Sequence, residues 1–282
     1  MKTSIKQLLG RALFASRVDR LLFRNTAVIV AFHRVLEATS PSDPLSIDTR
    51  TFERFCRYFA RHFDVVSLPE LARSLQAGGS VSRQLAITFD DGYRDNFEHA
   101  APILSRLSLP ATFFVVTQWI GSDVVPWWDD AAGVRHSWMT WDEVRALKRL
   151  GFDIGGHTRT HVDLGQVTGN EARDEILGAR LELQAQIGGA VESFAYPYGG
   201  PANLTERNRA MVKAAGFSCC CSGFGGVNAS DSDPFHLRRV PISQWYASPE
   251  QFGFETAVGL TEQTPFRSRY HTCCETLEAT GS

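Results

Sequence analysis

Short apolar runs alternate along the chain with stretches of helical period. Each run has about four to six residues, the usual length of a buried strand. The alternation predicts repeated strand-helix units, which assemble into a parallel sheet or barrel. The predicted strands, seven or eight in all, are Ala27 to Phe32, Asp64 to Ser67, Leu85 to Phe89, Thr112 to Val116, Phe152 to Gly155, Ser193 to Tyr196, Phe217 to Cys221 and Arg239 to Ile242.

Helical patterns fill the intervals between these strands. Phenylalanines at helical spacing run from Phe52 to Phe63, and a capping box from Thr168 to Glu171 opens a helix that ends near Gly188. The connection from Thr117 to Thr140 shows neither a helical nor a strand period. Connections of that length are usually functional. Further helices are predicted at 69–77, 95–107, 141–150, 203–215 and 248–258.

The pattern divides the chain into three parts. Residues 1–25 form an amphipathic helix, residues 26–259 one domain, and residues 260–282 a polar tail without periodicity. A length of 282 residues with 43% hydrophobic residues suits one well-cored α/β domain.

The amphipathic helix allows two interpretations. Its apolar face is surrounded by basic residues, as in a helix that makes peripheral membrane contact through residues 1–24. The interpretation we favour is that this face packs on its own domain. The face consists of Ile5, Leu8, Leu9, Ala12 and Leu13.

Composition limits the kinds of binding partner and the cellular compartment that we expect. With 29 basic and 31 acidic residues, the chain has no excess positive charge for a nucleic acid. Basic residues interrupt the first apolar stretch, so we predict no signal peptide. The six cysteines lack C-x-x-C spacing, which favours reduced thiols. We expect a cytoplasmic protein, with the inner membrane face as a peripheral location.

Two adjacent carboxylates end the third predicted strand. Asp90 and Asp91 would repel each other unless a cation lies between them or one of them binds a metal ion. Gly92 permits a turn that lets both approach one centre. The alternative is an ordinary turn on the surface.

His157 and His161 have the spacing that places two imidazoles on the same side of a helical turn. Two imidazoles and one carboxylate are a familiar set for a catalytic divalent ion, although such a pair can also be a surface coincidence. Position favours a site, because parallel strands of a barrel end at one face. His33, Asp90, His157 and Pro197 all follow predicted strands.

Three segments in chain order resemble the first three motifs of the polysaccharide deacetylase family with the NodB-type fold (carbohydrate esterase family 4). They are Thr88 to Gly92, His157 to His161 and Phe194 to Gly199, and the resemblance covers about residues 26–252. It implies a distorted (β/α) barrel of about seven parallel strands.

The resemblance also assigns roles. It implies that Asp91, His157 and His161 bind one divalent metal ion, with zinc expected and cobalt or nickel as alternatives. It makes Asp90 the general base for the attacking water, and gives Tyr198 a backbone N–H that stabilises the oxyanion.

Two departures from the family pattern concern the remaining roles. Ala195 stands where many members carry an arginine that pairs with the base, and the late Leu-x-His motif is not visible. Phe32 to Val35 instead resembles the Tyr-His-x-Val element of exopolysaccharide and poly-N-acetylglucosamine deacetylases, which makes His33 the general acid; the alternative is a histidine packed in the core. Leu237 to Val240 resembles a Leu-Pro-Arg-Ile segment of that subgroup, so Arg239 could supply the missing charge.

Aromatic residues of the long connection suit a sugar substrate. Trp127 and Trp128 are expected, with Pro197, to contact sugar rings, whereas Trp141 at a helix start is expected in the core.

The predicted function is hydrolytic removal of N-acetyl groups from N-acetylhexosamine units of a polysaccharide or its lipid-linked precursor. The alternatives are an O-acetyl esterase, a small-molecule amidase of the same fold, and a non-catalytic glycan-binding protein. Asp90 argues against the last of these, because binding alone does not require a base.

Overall fold

A sheet of mostly parallel strands lies at the centre of the computed structural model, which describes residues 1–223 and 225–262. All eight predicted strands are present, and three further strands of two or three residues were too short to leave a pattern. The strands are β1 (Thr26–Phe32), β2 (Arg34–Leu36), β3 (Ser46–Asp48), β4 (Asp64–Val65), β5 (Gln84–Phe89), β6 (Thr112–Val115), β7 (Asp153–Gly156), β8 (Ser193–Ala195), β9 (Cys219–Cys221), β10 (Asn228–Ala229) and β11 (Val240–Pro241).

The strand pairing describes a distorted barrel. Strands β1, β5, β6, β7, β8 and β9 are parallel neighbours in that order, and β11 pairs in parallel with β1. Leu237, just before β11, forms a parallel bridge with Cys221 of β9. The segment Leu237 to Pro241 therefore joins the two ends of the row. Within the described residues seven strands form this circuit, which confirms the predicted α/β barrel.

Every predicted helix is present, although the predicted helix of residues 1–25 is broken into two, Thr3–Ala15 and Asp19–Leu22. Capping explains several helix ends. The hydroxyl of Thr168 accepts a hydrogen bond from the N–H of Glu171, and Gly188 ends that helix with a φ of +65°. A π-helical turn, Asn96–Ala100, precedes α5, and α6 is a short helix that the sequence did not predict. The helices are α1 (Thr3–Ala15), α2 (Asp19–Leu22), α3 (Thr49–His62), α4 (Leu68–Gln76), α5 (Ala101–Arg106), α6 (Trp127–Ala132), α7 (Trp141–Arg149), α8 (Gly169–Ile187), α9 (Glu206–Ala214) and α10 (Pro249–Glu262).

Strand β1 is apolar after Thr26 because both of its faces are covered. Val28, Val30 and Phe32 pack in the outer core with the helices, whereas Ala27 and Ile29 pack in a second core with α4. Burial of each larger side chain stabilises the fold by roughly 1.5–3 kcal/mol. The same alternation on β5 directs Thr88 and Asp90 into the barrel.

Helix α1 packs on α10 with a different face from the one expected. Gly10 and Phe14 are its buried residues, whereas Ile5, Leu8 and Leu9 are exposed. Leu13 is the member of the predicted face that packs against the core, and the expectation is wrong for Ile5, Leu8, Leu9 and Ala12. The backbone of α10 lies close to Gly10 on the other side of the helix, where there is no side chain.

Helix α10 continues to Glu262, beyond the predicted domain end at 259. Most of the predicted polar tail, residues 263–282, lies outside the described residues, and the three-part division stays a prediction. Within the described part of the chain, no helix combines the length and apolar character needed to cross a membrane.

Candidate active site

A pocket opens where the barrel strands reach their carboxyl ends. The side chains with predicted chemistry converge there because parallel strands end on the same side. The pocket is lined by His33 after β1, Asp90 and Asp91 after β5, His157 and His161 after β7, and Tyr198 after β8.

The two carboxylates separate because the chain turns at the second of them. Asp91 has a φ of +75° and Gly92 a φ of +92°, so the turn begins one residue earlier than predicted. Aspartate tolerates this left-handed conformation better than most residues. Asp90 and Asp91 are only 4% and 2% exposed, so this is not an ordinary surface turn.

The two histidines lie on an irregular loop and not on the predicted helical turn. Thr158 and His161 have φ values of 64° and 62°, which a helix does not allow. The Thr158 hydroxyl accepts a hydrogen bond from the His161 N–H, and the Glu175 carboxylate of α8 accepts two consecutive loop N–H groups. These bonds hold the loop so that both imidazoles face Asp91. The predicted convergence is confirmed, and the predicted local conformation is wrong.

The spacing of the donor atoms fits one divalent metal ion. Asp91 Oδ1 lies 3.3 Å from His157 Nε2 and 3.4 Å from His161 Nε2, and the three donor atoms lie within 4.8 Å of one another. Ligand atoms around a tetrahedral zinc ion, at bond lengths of about 2.0–2.1 Å, lie about 3.3–3.4 Å apart. His157 Nδ1 is 2.8 Å from the Ala195 carbonyl oxygen. Because a carbonyl oxygen only accepts, Nδ1 carries the hydrogen and Nε2 keeps its lone pair for the ion.

The pKa shifts of Asp91 and His161 also favour the protonation states that bind a metal ion. Burial opposes ionisation of Asp91, but its close contacts with the imidazoles of His157 and His161 outweigh burial and hold the pKa of Asp91 well below its ordinary value. Burial lowers the pKa of His161, which favours the neutral imidazole. An ionised carboxylate and a neutral imidazole are the forms that bind metal ions.

Arg239 holds the carboxylate of Asp90 in place. Its Nη1 and Nη2 each donate to one carboxylate oxygen of Asp90 at 2.7 Å, and Nη1 also lies 3.2 Å from the Thr88 hydroxyl. Burial would raise the pKa of Asp90, but the Arg239 charge and hydrogen bonds lower it below its ordinary value. The structure thus confirms that Arg239 pairs with Asp90. The cation comes from the segment that closes the barrel and not from position 195, where an alanine stands.

His33 lies in the same pocket. Its Nε2 is 4.0 Å from Asp90 Oδ2, and its carbonyl oxygen accepts a hydrogen bond from Asn96 at 2.8 Å. Burial lowers the pKa of His33, so the imidazole is neutral at rest. The alternative of a histidine packed in the core is wrong, because His33 lines the pocket.

A polysaccharide deacetylase family model matches residues 78–219, half of the chain. The chain belongs to the polysaccharide deacetylase family. The match includes both carboxylates, both histidines and the third motif, whereas His33 and Arg239 lie outside it.

Individual members of the deacetylase family give weaker but consistent likenesses. The chain is 24% identical over 157 residues to YxkH of Bacillus subtilis, named as a polysaccharide deacetylase, which covers 56% of this chain and 50% of that protein. It is 24% identical over 139 residues to the poly-beta-1,6-N-acetyl-D-glucosamine N-deacetylase of Escherichia coli K12, covering 48% of this chain and 21% of that protein. The chain thus spans half or less of these relatives.

The solved structure of the Streptococcus pyogenes deacetylase PplD in complex with acetate supports the fold. It superposes with a TM-score of 0.70 at 19% identity, covering 81% of this chain and 97% of PplD. The deacetylase barrel is therefore shared over most of the chain.

Tryptophans form one wall of the deacetylase pocket, and they differ in exposure. Trp127 is 41% exposed at the mouth. Trp128 is half-buried, with its ring centroid 5.0 Å from that of His161 and its N–H donated to the Tyr93 hydroxyl at 3.0 Å. Trp127 therefore presents an exposed aromatic ring at the mouth of the pocket, whereas Trp128 packs against His161.

Two of the aromatic lining residues were not predicted, and one predicted residue is absent from the lining. Trp245 and Tyr196 line the pocket, although neither was predicted to. Their signal was that each follows or ends a barrel strand. Pro197 is buried and is not among the residues that line the pocket, and its substrate contact stays a prediction. Trp141 packs against the core, as expected.

Arg34 links two walls of the pocket, and no sequence pattern indicated this role. Its guanidinium is buried and donates to Asp43 in the β2–β3 loop and to Asp129 on α6. The Tyr93 hydroxyl donates to Asp129 and accepts from Trp128. One cation therefore holds together the two segments that flank the deacetylase pocket.

Proposed function

We propose that the chain removes N-acetyl groups from N-acetylhexosamine units of a polysaccharide or of its lipid-linked precursor. The observation that carries the proposal is the ionised, arginine-paired carboxylate of Asp90 beside the ligand set of Asp91, His157 and His161. A binding protein would need neither the base nor its cation, so hydrolysis explains the arrangement better.

The roles follow from the contacts. Asp91, His157 and His161 would hold a divalent ion, which when bound polarises the acetamide carbonyl and makes water more acidic. Asp90 accepts the proton of the attacking water, and Arg239 keeps that carboxylate ionised and oriented.

Tyr198 completes the pocket beside the ligands, with its ring centroid 5.1 Å from that of His161. Its backbone N–H is proposed to donate to the oxyanion of the tetrahedral intermediate.

His33 is proposed to protonate the leaving amine. A neutral imidazole must first gain a proton, and Asp90, 4.0 Å away, gains one when the water attacks. Proton movement from the base towards the amine is then short.

Zinc is the proposed ion, with cobalt and nickel as alternatives, since two imidazoles and one carboxylate at these spacings suit it. The name of the E. coli relative supports a poly-N-acetylglucosamine substrate. Trp127 and Trp245 supply aromatic faces for sugar rings.

The place of action is proposed to be cytoplasmic, at the inner membrane face. The described thiols of Cys56 and Cys219–Cys221 are free and buried, which supports a reducing compartment.

Acetate release from N-acetylated and O-acetylated glucosamine oligomers tests the proposal. We expect turnover of the N-acetylated oligomers to stop in chelator-treated protein and to return with zinc. Asp90→Asn should lower turnover by roughly 10²–10⁴-fold. Asp142→Asn, a matched change at an exposed carboxylate, should not alter it.

Turnover that survives both chelation and Asp90→Asn would contradict the mechanism. Release from O-acetylated oligomers alone would indicate the esterase, and glycan binding without any turnover would indicate the non-catalytic alternative.

A further inference from the structure

Helix α1 presents an apolar stripe away from the domain. Its inner face is fixed by Gly10, where a Cβ would lie 2.0 Å from the Glu250 carbonyl oxygen, and by Phe14, whose ring lies 5.1 Å from that of Tyr58. Residues two positions apart on a helix differ by about 200°, so Leu8 lies opposite Gly10. Leu8 is 67% exposed, which confirms that it points outwards.

Exposed apolar side chains also lie on α2 and next to it. Together with those of α1 they concentrate near the start of the sequence. Six of the ten large hydrophobic side chains that are exposed in the described residues lie within the first 21 positions. A concentration of exposed apolar side chains marks an interaction site more often than scattered single residues do. The six are Met1, Ile5, Leu8, Leu9, Val18 and Leu21.

The charge around the stripe identifies the kind of partner. Residues 1–24 contain six basic residues and one acidic residue, whereas the whole chain has a net charge of −2. The acidic residue, Asp19, is buried, and Arg17, Arg20 and Arg24 are exposed. Apolar side chains flanked by arginines match a lipid surface with anionic headgroups. A second copy of the chain would bring like charges together and fits less well.

We propose that the stripe of α1 and α2 lies in the headgroup region of a membrane that contains anionic lipids. The helix lies parallel to the surface, because its inner face stays on α10. The proposal does not depend on deacetylation, so vesicle binding and acetate release test separate claims.

Co-sedimentation of the full chain with vesicles tests the surface. Vesicles of phosphatidylcholine alone are compared with vesicles of equal parts phosphatidylcholine and phosphatidylglycerol. We expect binding to the anionic vesicles, weakened by salt, and binding at least about tenfold weaker in the Leu8→Glu/Leu21→Glu variant. The matched control Leu150→Glu/Leu181→Glu has the same charge change at two exposed leucines elsewhere and should bind like the unchanged protein.

Absence of binding to anionic vesicles would overturn the proposal, as would an equal loss in the control pair, since net charge alone would then explain binding. A dimer in solution that dissociates in Leu8→Glu/Leu21→Glu would assign the surface to a second copy and also overturn it. Equal thermal unfolding of the two variants shows that neither result reflects misfolding.

Discussion

Replacing Arg239 by alanine tests how this site keeps its base ionised. In the native protein the Arg239 charge and two hydrogen bonds of 2.7 Å lower the pKa of Asp90 against the effect of burial. Without the guanidinium, burial is opposed only by weaker interactions, so the pKa of Asp90 rises. Because the base works only when ionised, the acid limb of the pH–rate profile should move to higher pH.

The contacts set the size of the effect. Removing one partner of a buried ion pair costs roughly 3–5 kcal/mol, because the other charge remains without compensation. If about 3 kcal/mol of this falls on the ionised form of Asp90, kcat/KM measured on the acid limb falls by about 10²-fold, and the loss becomes smaller as the pH rises above that limb. Arg239→Lys keeps the charge but loses the two-pronged contact, so we expect a smaller loss, about tenfold.

The assay is acetate release measured across pH for both variants and for the exchange Ala195→Arg/Arg239→Ala. Ala195 packs in the interior core with Phe114, whose ring lies under the Arg239 guanidinium. The exchange returns a cation to the barrel interior and should recover part of the rate. Arg239→Ala with unchanged turnover and an unchanged acid limb would refute the reasoning.

Three further predictions concern the metal ion, the pocket walls and the substrate. Zinc at 100–1,000 times its Kd should stabilise the chain by about 2.7–4.1 kcal/mol, seen as a higher Tm that chelation reverses; a Tm indifferent to zinc in the native chain, or an equal rise in His161→Ala, would contradict the site. Arg34→Met should lower the free energy of unfolding, measured in urea, by roughly 3–5 kcal/mol, because Asp43 and Asp129 stay buried without their cation. Adding Asp129→Asn should recover part of this loss. An unchanged free energy of unfolding would show that the two ion pairs contribute nothing to stability. Trp127→Ala should raise KM by up to about tenfold with kcat unchanged, whereas Trp128→Ala should lower kcat because its ring supports His161; identical effects would contradict the assignment.

The sequence predicted the barrel because its main strands are continuous apolar runs buried on both faces. Strands β2, β3 and β10 have two or three residues each, too few to show a period. Helix α6 has six residues and was hidden in the tryptophan-rich connection for the same reason. Local pattern therefore predicts elements that lie within runs of four or more residues, as the two-residue strands β4 and β11 do, and misses short elements outside such runs.

At the site, residue types were predictable and backbone conformation was not. Asp91 and Thr158 adopt left-handed φ values that neither residue type signals, so the turn position and the histidine loop were misassigned. Arg239 was predicted through the family pattern. Because Ala195 stands where many members carry an arginine, another cation was expected to pair with Asp90. The Arg34 contacts join segments far apart in the chain and outside any motif, so no local pattern indicated them. For α1, apolar residues occur on both faces, and the small size of Gly10 decides which face packs.

The segment that closes the barrel also carries Arg239. The same step of folding therefore completes the circuit of strands and brings the Arg239 guanidinium to the Asp90 carboxylate. A nascent chain that ends before Leu237 holds both carboxylates and both histidines but leaves Asp90 without its cation. Hydrolytic competence is thus expected to arrive last during synthesis, once the final parallel strand has docked.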